Sequence, residues 1–142
     1  MIYKTDEDVK SLIEKFENCT VSEKEWTHAA HLTAALWYLI ENDLEKAIEK
    51  MRRGILKLNE SHNVPNTPTR GYHETLTIFW MQIVSDFLEK AVDKSSLCAL
   101  ANSLIKTYDS SFPLKFYTRE LLFSPAARTK YIEPNLLSLR QG

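Results

Sequence analysis

The chain has 142 residues, 44% of them hydrophobic, which is enough for one domain with a substantial core. Its 18 Lys and Arg and 19 Asp and Glu give a net charge of −1, so the composition offers no broad basic surface for nucleic acid or for a membrane. Three glycines leave no glycine-rich phosphate-binding loop, and two distant cysteines provide no disulfide framework and no CxxC pair. The first residues lack an apolar signal-peptide stretch, which predicts a cytoplasmic protein.

Apolar residues recur at helical spacing along the chain, and no segment alternates as a β-strand does. We therefore predict an all-α fold, a single helical domain over residues 1–142, with about five main helices plus short C-terminal helices. In chain order the main helices are one capped by Thr5 or Asp6, one opened or preceded by Ser22 and Glu25 and ending near Glu41, one capped by Asn42 or Asp43, one from about Tyr72 to Ala91, and one capped by Asp93.

The rest of the chain is predicted to form a long loop and short helices. Residues 61–71 contain two prolines, two asparagines and a glycine, and this connection is the best candidate for a lid. Pro113 is predicted to begin a short helix through Leu122. Ser124 and Pro125 have the pattern of an N-cap followed by a first-turn proline, which predicts a last short helix over 126–132.

Two windows of the sequence are almost free of charge. Residues 26–40 contain no Asp, Glu, Lys or Arg, and residues 71–85 contain only Glu74. At the overall charged fraction of 26%, these windows together would carry about eight charges. Both are shorter than the roughly 18 residues of a membrane-spanning helix. Because a helix that is apolar all round is buried on all sides, we predict that the second and fourth helices form the central pair.

Three of the four histidines fall in these windows, beside the single carboxylate. His28 and His31 are three residues apart and share a helix face, and packing of the two central helices would bring His73 and Glu74 near them. Imidazole nitrogens and a carboxylate suit a divalent transition metal such as Zn, Fe or Ni. The sequence therefore predicts His28, His31 and His73 as metal ligands, with Glu74 as the catalytic base or a further ligand.

This constellation matches no standard metal motif, and two other interpretations stay open. Thr77 stands where the His-Glu-x-x-His zinc motif has its second histidine. Glu25 and His28 match one Glu-x-x-His half of a di-iron site, but Arg70 stands where the second half, ending at His73, would need its glutamate. The histidines could instead form a buried polar network that fixes how two helices cross, with Glu74 paired to Arg70 or Arg128. A histidine acid-base site without metal is the third interpretation.

Residues outside the cluster are predicted to have other roles. Arg128 and Arg70 are predicted to anchor an anionic substrate group, and Tyr72 is assigned to substrate binding with them. His62 is either solvated in the loop or a fourth ligand. The tryptophans are predicted to be core residues rather than a ligand cage.

The cluster of Arg52, Arg53 and Lys57 is predicted to be a solvated helix face, so nucleic acid is not an expected partner. A small-molecule ligand and a homo-oligomer are compatible with the sequence.

Three motifs carry a resemblance to other proteins. WTHAAHL at 26–32, GYHETLT at 71–77, and SPAAR followed by EPNL between 124 and 136 together resemble an uncharacterised bacterial family of small helical proteins. The resemblance extends from about Glu25 to Leu139. It implies a cytosolic helical protein with a site at the motif positions, namely His28, His31, His73, Glu74 and Arg128, and it implies no reaction, substrate or cofactor.

Two functional hypotheses follow from these observations. The first is a metal-dependent or histidine-based enzyme, hydrolase-like, that acts on a small molecule. The second is a non-catalytic helical module that binds a small ligand or a partner protein, with the histidines in a structural polar network. Imidazoles that converge on one solvent-reachable point would favour the enzyme, and imidazoles that pair with backbone carbonyls or hydroxyls would favour the module.

Overall fold

The computed structural model describes residues 2–139, which form seven α-helices and one 3-10 helix and contain no β-strand. Five of these helices are long, so the predicted all-α bundle with five main helices and short C-terminal helices is confirmed. The elements are α1 (Asp6–Glu17), α2 (His28–Glu41), α3 (Leu44–Ser61), α4 (Glu74–Lys90), α5 (Leu97–Thr107), the 3-10 helix (Phe112–Lys115), α6 (Arg119–Leu122) and α7 (Pro125–Thr129).

Local side-chain caps set several helix starts as predicted. Thr5 caps α1 by accepting a hydrogen bond from the N–H of Asp8, whose carboxylate bonds back to the N–H of Thr5. Asp43 caps α3 by accepting a hydrogen bond from the N–H of Lys46, and Ser124 caps α7 with Pro125 in the first turn. These caps satisfy backbone N–H groups that have no partner inside the helix, so they work wherever the helix packs.

Two predicted starts were wrong by a few residues. Asp93 does not cap α5, because its carboxylate accepts hydrogen bonds from the N–H and hydroxyl of Ser95 in the preceding turn, and Ser96 is the cap. The fourth helix begins at Glu74 rather than Tyr72, because His73 is its N-cap.

The second helix begins at His28 after its cap, Thr27. The predicted signal at Ser22 and Glu25 lies before it: each residue's side chain accepts from the other's backbone N–H, in a separate turn. The pair therefore precedes the helix, which is one of the two positions predicted for it.

The C-terminal segment is less helical than predicted. The helix expected over 113–122 is divided into the 3-10 helix and α6, and α7 ends at Thr129 instead of Ile132. Beyond α7 the chain crosses α4, where the buried hydroxyl of Thr75 donates to the carbonyl of Lys130 (2.9 Å) and accepts from the N–H of Ile132 (3.1 Å). These bonds hold the chain in an extended conformation.

The central position of α2 is confirmed. This helix packs against α1, α3, α4 and α5, and its Ala34 and Leu36 are completely buried. α4 packs against α2, α3 and α7, and its exposed residues are confined to its second half, at Asp86, Glu89 and Lys90. The first half of α4 is therefore covered by its neighbours, and its second half reaches the surface. Within residues 2–139, no helix combines the length and the apolar character needed to cross a bilayer.

Candidate functional site

A cavity of about 350 Å³ lies where α2, α3, α4 and α7 meet the loop between α3 and α4. Its volume is in the range of small-molecule sites, and its walls are mostly apolar. The aromatic residues that line it are Trp26, Tyr72, Trp80 and Phe123. The polar residues that line it are His28, His31, Asn59, His73, Thr77 and Arg128.

Helical spacing explains why three helices contribute to the same wall. On α3, Met51, Ile55 and Asn59 are four residues apart and follow one face. On α4, Thr77 and Trp80 are three residues apart and also share a face. On α2, the first turns face the cavity. The charge-free windows therefore contain most of this site. Residues of these two windows therefore line the cavity as well as packing into the core.

His31 lies at the cavity without a hydrogen-bond partner among the described residues. Its ring contacts the edge of Trp26, with ring centroids 4.3 Å apart. Burial, aided by repulsion from nearby His28, lowers the pKa of His31 from 6.5 to about 4. The side chain is thus a neutral imidazole near neutral pH, with one nitrogen that donates and one that accepts.

His28 lines the same cavity but has a structural bond. Its Nε2 donates to the carbonyl of Tyr108, 3.1 Å away, and its ring lies against Trp80 with centroids 5.0 Å apart. Tyr108 follows the last residue of α5, so this bond satisfies a carbonyl at the end of that helix. One imidazole nitrogen of His28 makes no hydrogen bond within residues 2–139.

His73 uses both of its ring nitrogens to hold the protein together. Nδ1 accepts from the N–H of Leu76 (3.1 Å) as the N-cap of α4, and Nε2 donates to the carbonyl of Leu122 (2.7 Å) at the end of α6. Burial, together with the charge of Arg128, lowers the pKa of His73 despite the bond to Leu122. A neutral imidazole protonated on Nε2 satisfies both contacts.

The three predicted metal ligands therefore reach the same cavity with unequal freedom. His31 is unpartnered and His28 keeps one nitrogen, but His73 would have to give up a helix cap or a backbone carbonyl to bind a metal. Within the described residues, no three His, Cys, Asp or Glu side chains form a group that could hold a metal ion.

Glu74 was predicted to be the catalytic base, and the structure gives it a close ionic partner. Arg52 donates to both carboxylate oxygens, from Nε to Oε1 (2.9 Å) and from Nη2 to Oε2 (2.7 Å), and the hydroxyl of Tyr72 donates to Oε1 (2.5 Å). Burial alone would raise the pKa of Glu74, but the bonds from Arg52 and Tyr72 and the Arg52 charge outweigh it and lower that pKa. Glu74 is outside the set of residues that line the cavity.

This pair corrects two expectations from the sequence. The partner of Glu74 is neither Arg70 nor Arg128, and Arg52 is not simply part of a solvated face. Arg52 is next to Met51 and four residues after Ile48, so it flanks the apolar stripe of α3. That flanking position is the signal that could have identified it. Arg53 fits the prediction, because it pairs with Glu49 on the exposed face.

Of the predicted substrate-binding residues, Arg128 and Tyr72 line the cavity and Arg70 does not. Arg70 is exposed in the loop, where its backbone pairs with that of Thr67. Nη1 of Arg128 donates to the carbonyl of Gly71, 2.8 Å away. Gly71 has a φ of +88°, and a Cβ there would collide with the carbonyl oxygen of Pro65, so only glycine fits this position.

The loop of the predicted lid is tied to α3 and to the start of α4. Oδ1 of Asn66 accepts from the side chain of Asn59 and from the N–H of Tyr72, both at 3.0 Å. His62 is neither solvated nor a fourth ligand, because its Nε2 donates to the carbonyl of Val21 (2.9 Å) away from the cavity.

Fold and cavity together define the class: a helical bundle with a mostly apolar pocket of small-molecule size, in which histidines and one arginine are the notable polar groups. No protein-family model, no curated protein and no solved structure matches the chain. The resemblance to a bacterial family of small helical proteins thus stays a prediction that rests on the three motifs.

Proposed function

We propose that this protein binds a small, largely apolar molecule in the cavity and that His31 is a polar group that contacts it. The observation that carries this proposal is the unpartnered His31 imidazole in a mostly apolar pocket of about 350 Å³. The imidazole of His31 makes no hydrogen bond within residues 2–139, so both of its nitrogens are available to a molecule bound in this mostly apolar cavity. A ligand group could donate to one nitrogen or accept from the other.

The other histidines support binding rather than a three-histidine catalytic centre. His28, His62 and His73 each donate to a backbone carbonyl, which is the pattern expected of a polar network that fixes helix positions. The ion pair between Arg52 and Glu74 likewise joins α3 to α4 beside the cavity. The function that these contacts favour is a preformed ligand-binding pocket.

Titration with indole, a neutral apolar probe, tests this proposal. We expect saturable binding that shifts the NMR signals of the His31 imidazole and of the Trp26 and Trp80 indoles. Ala35 also lines the cavity, so Ala35→Leu should reduce the available space and weaken binding, and His31→Ala should remove the polar contact. His62→Ala is the matched control, because His62 lies outside the cavity. Absent binding, or unchanged binding in Ala35→Leu, would contradict the proposal.

A metal-assisted, hydrolase-like reaction is the second candidate, because His28 and His31 both line the cavity from one helix face. In this candidate, Zn, Fe or Ni binds at these two imidazoles together with that of His73, and Glu74 is released from Arg52 if it acts as base. Metal content of untagged protein should then fall in His28→Ala, His31→Ala and His73→Ala and much less in His62→Ala. Stoichiometric metal in the triple variant, or none in the wild type at micromolar metal, would contradict this candidate.

A further inference from the structure

We infer that the ligand of this cavity is a small aromatic monocarboxylate, with its carboxylate at Arg128 and its ring toward Trp80. This inference rests on the proposed function and specifies its ligand class. It follows from the charge of the cavity, from the way Arg128 is held, and from the arrangement of aromatic side chains along α4.

Arg128 carries the charge argument. Among the described residues that line the cavity, it is the only Lys, Arg, Asp or Glu. It has no carboxylate partner within residues 2–139, and its one hydrogen bond there goes to the carbonyl of Gly71. That bond orients the guanidinium and leaves its other N–H groups free. A guanidinium fork held in this way matches a carboxylate, which can accept two parallel hydrogen bonds.

The charge balance favours one negative charge. Glu74, next to the cavity-lining His73, is already paired with Arg52 through two hydrogen bonds, so it does not compensate the charge of Arg128. In a mostly apolar cavity, a doubly charged group such as a phosphate monoester would keep an unbalanced charge, whereas a monocarboxylate would not.

The aromatic residues argue for a ring at the other end. Gly71, which holds Arg128, precedes α4, and Trp80 lies against His28 two helical turns into α4. The seven steps from His73 to Trp80 rise about 10 Å along α4 at 1.5 Å per residue, which suits a ring joined to a carboxylate by a short spacer. Tryptophan faces and edges favour aromatic partners beyond the gain from buried area alone.

A matched pair of ligands tests the inference without relying on any variant. Phenylpropionate and phenylpropionamide have the same ring and spacer, and only the acid carries a charge. We expect calorimetric titration of the wild type to show the acid binding at least about tenfold more tightly than the amide. Arg128→Gln should abolish this difference between acid and amide, whereas Arg128→Lys should retain part of it. Arg70→Gln, an exposed arginine outside the cavity, should change neither ligand.

The outcomes separate this inference from the proposed function. Equal binding of acid and amide to the wild type would overturn the carboxylate assignment while the pocket still bound small molecules. A preference for the acid that survives in both Arg128 variants, or that disappears in Arg70→Gln, would overturn the role of Arg128. Binding of neither probe, together with no binding of indole, would overturn both. If Arg128→Gln does not fold, Arg128→Lys and the wild-type acid-to-amide ratio still decide the result.

Discussion

Between about pH 7 and pH 5, the free energy of unfolding is expected to fall by about 2 kcal/mol because of His31 alone. Burial and the neighbouring His28 lower the pKa of His31 from 6.5 to about 4 in the folded protein. As the pH falls below 6.5 the unfolded chain binds this proton and the folded protein does not. The contribution of neutral His31 to the free energy of unfolding is thus fully present above pH 6.5 and is lost progressively toward pH 4.

Denaturant unfolding at several pH values measures this slope, and His31→Gln is the variant that should flatten it. His73 adds a smaller contribution of the same sign, since its pKa is also lowered, so His31→Gln should keep a residual slope. Carboxylates with lowered pKa values, such as Asp8 and Glu25, lose their contribution only at lower pH. A wild-type protein whose stability is flat from pH 7 to pH 5 would contradict the lowered pKa of His31.

Glu74→Gln is expected to destabilise the protein by about 2 kcal/mol, because it leaves the guanidinium of Arg52 without its partner. Side chains of Arg52 and Glu74 are 36% and 17% exposed, so water compensates part of the loss and keeps it below that of a fully buried pair. The lowered pKa of Glu74 gives the sign of the pH effect. The contribution of the pair is present above the ordinary carboxyl pKa and is lost as the pH falls through the folded value.

Thermal or urea unfolding provides the measurement, and the neighbouring pair provides the control. Arg53 and Glu49 form an ion pair on the same helix with side chains 73% and 60% exposed, so Glu49→Gln should have little measurable effect. A double-mutant cycle over Arg52 and Glu74 should show coupling between the two positions. Equal, small effects of Glu74→Gln and Glu49→Gln would show that Glu74 contributes nothing beyond a surface charge.

The candidate site could be located from the sequence, but the roles within it could not be assigned. A run without charges is a local property, and it identified the segments around His28, His31 and His73 correctly as lying at the centre of the bundle. Which atom each imidazole faces depends on the rotation of each helix about its axis and on where the neighbouring helix ends. The bond from His73 to the carbonyl of Leu122 spans 49 positions in sequence and has no local signal.

The sequence by itself determined the all-α class, the central helix and the helix starts at Thr5, Asp43 and Ser124, because periodicity and capping involve residues within a few positions of one another. Only the tertiary structure decided that Arg52 pairs with Glu74, that His31 has no partner within residues 2–139, and that both charge-free segments line a cavity of about 350 Å³. The physical reason is that such pairings and voids result from the packing of the whole bundle, in which side chains far apart in sequence compete for the same space.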